Sequence, residues 1–144
     1  ETPRRAARLL LVDDSPTNRA VTGALLRRAG HQVDLAADGH EAIAAAADRD
    51  YDLILMDIAM PEMDGMAATA EIRGLAGPRG QVPIVAMTAH GMTSDRDRFL
   101  AAGMDGYIAK PIGREQLESA VQRWAGRARQ DVGVERLVTA AGCS

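Results

Sequence analysis

Where the apolar run Leu53 to Met56 stops, a lone carboxylate stands, Asp57, and the chain then breaks into a loop carrying Pro61, Asp64 and Gly65, in the stretch "LILMDIAMPEMDG". A strand that simply finished would more usually leave through Gly, Asn or Ser. Reactive side chains end other apolar runs too: Asp13 and Asp14 follow the first, Thr88 the fourth and Lys110 the fifth. Singly, each has an ordinary explanation. Asp13 or Asp14 can cap the helix that begins at Pro16, Asp57 can close an Asx-turn, Thr88 can end a strand, and Lys110 can be solvated before a proline. Brought together they are a chemical set. Two carboxylates about 4 Å apart repel by about 4 kcal/mol at an effective dielectric of 20, so acids meeting at one edge call for a cation. Oxygen donors with no His or Cys beside them select a hard divalent ion, Mg²⁺ first and Mn²⁺ as a substitute. A hydrated metal, a free carboxylate, a hydroxyl and an ammonium describe a phosphoryl site: the carboxylate is the nucleophile of an acyl phosphate, and the cations neutralise the transferring oxygens.

Such convergence needs strands that all point one way. Arg8 to Val12, Gln32 to Ala36, Leu53 to Met56, Ile84 to Met87 and Gly106 to Ala109 are short runs, mostly Leu, Ile and Val, suited to strands buried on both faces of a parallel sheet. Helical patterns separate them. Ser15 and Pro16 read as N-cap and first helical residue, with Gly30 as the stop. Glu41 to Ala47 is a short Ala-rich helix, Met66 to Arg73 follows the Gly65 turn, and Thr93, Ser94 and Asp95 offer caps for a helix ending at Gly103. Leu117, Ala120, Val121 and Trp124 fall at i, i+3, i+4 and i+7, one apolar stripe facing the sheet. The β-α unit repeats, and right-handed crossovers make this an α/β fold, a single doubly wound five-stranded parallel sheet with helices on both faces. In such sheets ligands gather beyond the carboxyl ends of the strands, where these side chains lie.

The bounds agree. A chain of 144 residues forms one domain, and at that size about 68–70% of the unfolded surface is buried, enough for a core without staples. The one cysteine, Cys143, can make no internal disulfide, which favours a reducing, cytoplasmic compartment. A net charge of −3 with scattered Lys and Arg gives no reason to expect a nucleic-acid partner. No apolar segment approaches the ~20 residues of a membrane span, and "ETPRRAARLLLV" is too short in its apolar part for a secretory signal. The missing initiator Met suggests a piece of something longer.

The motifs "LVDDSPTN", "LILMDIAMPEMDG", "IVAMTA" and "GYIAKP", in this order and spacing, resemble the receiver domain of two-component signalling over Arg8 to Trp124. The joint match is specific where each piece alone is weak. The resemblance implies a flavodoxin-like strand order 2-1-3-4-5 and a phosphoryl group accepted from a phosphohistidine. It makes Asp57 the phospho-acceptor, Asp13 and Asp14 the acidic pair holding Mg²⁺, and the backbone carbonyl of Ala59 a further metal ligand. Lys110 would contact the phosphoryl oxygens, with a cis bond to Pro111. Thr88 would turn toward the phosphoryl group, and Tyr107 would swing inward behind it. Pro61 and Gly65 would keep the backbone close around the carboxylate.

Variable positions qualify this. Ala59 offers no side chain to steer a water, and His90 stands where it can overhang the site, although a lone His is more often solvated. His31 and His40 read as surface residues at helix boundaries, and the methionines as core and loop filling. A flavodoxin-like cofactor binder is disfavoured because "DDSPTN" presents carboxylates to any anion, and a haloacid-dehalogenase-type phosphatase because it wants an acid where Ala59 stands. A degenerate receiver would have lost an acid or the lysine.

The expected boundaries are a linker over residues 1–7, a receiver over 8–125 and a tail or linker over 126–144. The details of "VPIVAMTAHGMTSDRDRFLAAGMDGYIAKPI" resemble receivers of hybrid sensor histidine kinases more than those fused to DNA-binding domains. Partners are then a histidine kinase or a histidine phosphotransfer protein, with no nucleic acid and no direct membrane contact, the domain being a monomer or weak dimer. The alternative is a stand-alone response regulator or a receiver acting mainly as an interaction module. The receiver promotes its own phosphorylation and dephosphorylation and is no turnover enzyme. A helical partner would meet the first helix, where Ala20, Val21, Ala24 and Leu25 offer small or apolar surface, although packing against the sheet is the role expected of most of them.

Overall fold

A computed structural model describes residues 7–58, 60, 63–88, 98–109 and 113–125. The elements are β1 (Arg8–Val12), α1 (Pro16–Arg28), β2 (Gln32–Ala36), α2 (Gly39–Asp48), β3 (Leu53–Asp57), α3 (Gly65–Arg73), β4 (Ile84–Thr88), β5 (Gly106–Ala109) and α4 (Arg114–Ala120). Residues 98–101 are also helical, and a 3₁₀ turn not foreseen in the sequence covers Gly77–Gln81. All strands are parallel, in the order β2-β1-β3-β4-β5.

Alternation along the central strands divides the core into two layers. Leu9 and Leu11, Leu53 and Leu55, and Val85 and Met87 pack with Leu26 of α1 and with Leu117, Ala120 and Val121 around α4. Leu10 and Val12, Ile54 and Met56, and Ile84 and Ala86 pack on the other side with Ala42 and Ala46 of α2 and with Ala68 and Ile72 of α3. The expectation of strands buried on both faces holds for β1 past Arg8, for β3 and for β4. It fails at the sheet edges, where β2 and β5 have one neighbour each and Leu35 and Tyr107 are exposed.

Local chemistry sets the helix starts. The Ser15 hydroxyl accepts from the Asn18 N–H at 3.2 Å with Pro16 next in line, as expected, so neither Asp13 nor Asp14 caps α1. Asp38 accepts from the Glu41 N–H at 2.8 Å and Asp64 from the Ala67 N–H at 2.8 Å, which starts α2 and α3 earlier than their apolar patterns do. α1 gives way at Gly30, whose φ of 97° is open to glycine. The apolar stripe of the last helix is in place, but its end widens into a π-type turn, Val121–Ala125, and Trp124 lies only partly buried against Gly106. Thr93, Ser94 and Asp95 lie outside the described residues.

His31 corrects the sequence reading. It is buried, and its Nδ1 accepts the Ala7 N–H at 3.1 Å, fastening the start of β1 to the start of β2. His40 is exposed, as expected.

Arg73 binds the edge of the sheet opposite the carboxyl ends. Its guanidinium donates to the carbonyls of Gly103 at 2.8 Å, Gly80 at 2.9 Å and Val82 at 2.6 Å, and pairs with Asp105 at 2.9 Å. The same Asp105 oxygen accepts the Ile84 N–H at 2.8 Å. Burial pushes the guanidinium pKa down while Asp105 opposes the shift. One side chain thus joins the end of α3 to the entries of β4 and β5. Arg73→Met should cost roughly 2–4 kcal/mol, because it strands several carbonyls and a carboxylate at once. Urea unfolding measures it, and a cost below about 0.5 kcal/mol, the range of an ordinary surface change, would refute this role.

Candidate functional site

The register of the sheet builds the site. Val12 lies opposite Met56, so one residue further along both strands sets Asp13 beside Asp57. Asp57 lies opposite Met87, and Thr88 follows at the end of β4. Thr88 in turn lies opposite Ala109, after which comes Lys110. Lys110, Pro111, Ala59, Pro61 and His90 lie outside the described residues.

Asp13, Asp14 and Asp57 each present a carboxylate oxygen within 4.8 Å of the others. Asp13 and Asp57 are 3% and 2% exposed, whereas Asp14 stands in solvent at the rim. At an effective dielectric of 20, unit charges that far apart repel by about 3.5 kcal/mol per pair. The donor set is all oxygen, and no His or Cys belongs to it among the described residues. It suits a hard divalent cation that keeps water on its exposed side.

Backbone contacts hold the acids in place. The Asp13 N–H donates to the Ala36 carbonyl at 3.1 Å, and Asp13 Oδ1 accepts the Ser15 N–H at 2.9 Å. Past Asp57, the Ile58 N–H donates to the Met87 carbonyl at 3.1 Å, and the Ile58 carbonyl accepts from Met60 at 3.2 Å and Gly65 at 3.1 Å. The loop is thereby folded back on the strand end. A Cβ on Gly65 would collide with the Asp57 carbonyl oxygen and lie 3.0 Å from Met56 Cγ, so the first turn of α3 comes this close only as glycine.

Thr88 is buried, and Tyr107 is partly exposed on β5, its ring 6.2 Å from that of Phe99. Beside Tyr107 opens a cleft of about 540 Å³ shared with Trp124, Arg123 and Gln116. On α1 the sheet-facing residues are Thr22, Gly23 and Leu26. Ala20, Val21 and Ala24 are exposed and Leu25 is half-buried, so most of the residues expected to pack inward face solvent instead. The cause is a shift of the buried stripe onto two small residues, which apolarity alone does not reveal. The sequence reading also missed Arg19, whose Nη1 donates to the Asp13 carbonyl at 2.7 Å. Its place one turn into the helix after the acidic pair was the available signal.

The family profile described as the response regulator receiver domain matches residues 9–122. The chain is 42% identical over 134 residues to the sensor protein GacS of Pseudomonas syringae pv. syringae, covering 92% of this chain and 15% of GacS. It is 42% identical over 119 residues to the histidine-protein kinase BarA of Escherichia coli K12, covering 83% of this chain and 13% of BarA. It therefore spans only a small part of these kinases. Among solved structures, the receiver domain of sensor histidine kinase PA1611 from Pseudomonas aeruginosa PAO1, which holds a magnesium ion in its active-site cleft, matches at a TM-score of 0.77 and 45% identity, over 85% of this chain and 99% of that one. The chemotaxis protein CheY4 of Vibrio cholerae matches at a TM-score of 0.78 and 32% identity, over 83% and 99%. The resemblance carried by the motifs is borne out, and so is the strand order it implied.

The close approach of α3 to the site gives a direct test. Gly65→Ala should lower stability by roughly 1–3 kcal/mol, an overpacking cost, since a backbone oxygen cannot rotate aside as a side chain can. Thermal melts in chelator measure it without metal, and an unchanged melting temperature would show that the loop yields.

Proposed function

Because the chain belongs to the response regulator receiver family, we propose that it accepts a phosphoryl group from a phosphohistidine onto Asp57 and works as a conformational switch or relay. The observation that carries this reading is the set of three carboxylates within 4.8 Å at the carboxyl edge of the sheet. Asp13, Asp14, Asp57 and the carbonyl of Ala59 would hold Mg²⁺, or Mn²⁺ in its place. A bound divalent cation supplies charge neutralisation for the transferring oxygens.

An oxygen of the Asp57 carboxylate attacks phosphorus as the N–P bond of the phosphohistidine breaks, and the departing imidazole nitrogen takes up a proton. Lys110 meets the phosphoryl oxygens as a compact cation. Thr88 turns its hydroxyl toward them, and Tyr107 moves into the space behind. Hydrolysis or onward transfer returns Asp57 to the carboxylate. The unit over residues 8–125 promotes its own phosphorylation and dephosphorylation and turns over no outside substrate.

The parent is a hybrid sensor histidine kinase, which the similarity to GacS and BarA supports. The partners are then a kinase core or a histidine phosphotransfer protein, met through the outward face of α1 at Ala20, Val21 and Ala24, with no nucleic acid involved. The domain acts in the cytoplasm as a monomer or weak dimer; among the described residues no helix is long and apolar enough to cross a membrane. A DNA-binding domain in the same parent chain, or the lack of any kinase core there, would defeat this context.

A small phosphodonor should modify the wild type, and beryllofluoride should bind it, both in the presence of Mg²⁺. Asp57→Asn should abolish both, and Asp14→Ala or chelation should suppress them at least tenfold. Mass spectrometry reads the adduct, and undiminished modification of Asp57→Asn would sink the assignment.

The single tryptophan offers a reporter of the switch, since Trp124 and Tyr107 line one cleft. Beryllofluoride should change Trp124 fluorescence and the amide spectrum of β5 and α4 in the wild type. Thr88→Ala should still be modified but lose that change, because only a state with Thr88 turned inward bonds the phosphoryl group. Identical β5 and α4 spectra with and without beryllofluoride in the wild type would count against the switch.

A further inference from the structure

Arg19 reaches back over the start of α1, and its Nη1 donates to the carbonyl oxygen of Asp13 at 2.7 Å. That carbonyl belongs to the planar peptide unit joining Asp13 to Asp14, so fixing its oxygen fixes the direction of the Asp14 N–H and the place of the Asp14 Cα. Asp13 is tied down twice more, through its own N–H to Ala36 and through its Oδ1 to Ser15. Asp14 is exposed, and its carboxylate lies within 4.8 Å of those of Asp13 and Asp57.

We propose that Arg19 is a positioning residue for the acidic pair, holding the Asp13–Asp14 peptide in the orientation a divalent cation needs. This rests on the metal-binding reading above. The direction of the effect separates it from the simplest alternative. A cation next to a cation site acts by charge alone to weaken metal binding, so its removal would tighten Mg²⁺. A positioning residue acts in the opposite sense. Its removal loosens the pair and weakens Mg²⁺, although the site has become more negative.

The measurement is calorimetric titration of MgCl₂ into wild type, Arg19→Met, Arg19→Lys and Arg27→Met. Arg27 is a matched control on the same helix, since its Nη2 donates to the Val33 carbonyl at 2.9 Å, away from the acids. Arg19→Met should bind Mg²⁺ about tenfold more weakly, the usual size of a loss behind the ligands. Arg19→Lys, which keeps a charge and a donor group on a chain that ends elsewhere, should recover part of the loss, and Arg27→Met should match the wild type. A readout without metal accompanies these: in EDTA, the Asp13 carbonyl-carbon and Asp14 amide chemical shifts should move in Arg19→Met, where the hydrogen bond to that peptide is lost, and less in Arg19→Lys. Should Arg19→Met lower the melting temperature, the titrations are run well below its transition, where it is fully folded, with the same expectations. Unchanged or tighter Mg²⁺ binding in the neutral variant overturns the role of Arg19 while leaving the metal site standing. Failure of the wild type to bind Mg²⁺ overturns the metal reading and this inference together.

Discussion

Mutual repulsion among Asp13, Asp14 and Asp57 is the constraint around which this molecule is arranged. At about 3.5 kcal/mol per pair, carboxylates left to themselves would separate by rotating outward or by shifting the strands. The strands cannot shift. A one-residue slip of β1 against β3 would exchange the side chains that face the two core layers, turning Leu9 and Leu11 toward α2 and α3 and Leu10 and Val12 toward α1 and α4. The two layers differ in the helices that close them, so each swapped side chain would have to repack in space shaped for another, at about 1–3 kcal/mol for a misfit. Leu9, Leu10, Leu11, Leu53, Ile54, Leu55 and Met56 are all fully buried in these two strands alone, so packing outweighs the repulsion. The apolar core therefore fixes the strand ends that carry the acids, and a bound cation would relieve the repulsion among them.

The two layers are unequal in what they leave free. On the α2 and α3 side, alanines and Ile72 bring the helices close, and Arg73 locks the far edge of β4 and β5. On the other side, α4 follows β5, which has a neighbour on one side only, and its last turn is widened around Trp124. At the β5 edge Tyr107 and Leu100, near Phe99 of the α2 and α3 layer, and Trp124, against the α1 and α4 layer, keep much of their apolar surface in or near solvent. Local opening is least costly where few apolar groups are buried. Among the described residues the periphery at β5 is therefore less tightly packed than β1 and β3, and it is where the proposed switch would act.

Much of this was legible in the sequence, for an identifiable reason. The apolar runs are short and the caps are strong, so the β-α repeat and the placing of acids at strand ends followed from local chemistry. What stayed hidden depends on which neighbour a residue meets. Nothing local distinguishes His31 from a surface histidine, because the group it bonds, the Ala7 N–H just ahead of β1, is distant in sequence. The outward turn of Val21 and Ala24 was missed because the sheet side of α1 is filled by Thr22 and Gly23, residues that hydropathy does not mark as core. Gly23 lies against Leu35 and Leu11, where a Cβ would make only ordinary contact, so its place on the sheet side is set by neither size nor hydropathy. The edge character of β2 and β5 came only with the strand order that the family resemblance implied, since strand order follows from crossovers and leaves no trace in composition.

On the proposed reading, the path from Asp57 to the periphery is short because the register makes it so. Asp57 lies opposite Met87, and Thr88 is the next residue of β4. Thr88 faces Ala109 across the β4–β5 ladder, while Ala86 faces Tyr107. Residues two apart share a face of the sheet, so Thr88 and Ala86 lie on one side, as do Ala109 and Tyr107. The β4 neighbour of Tyr107 is an alanine, and Thr88 is the larger group next along that face. A movement of Thr88 toward a phosphoryl group on Asp57 removes bulk from the ground that the Tyr107 ring would have to cross. No distant lever is needed, since one step of register joins the acceptor to the threonine and one pair of cross-strand neighbours joins the threonine to the aromatic ring.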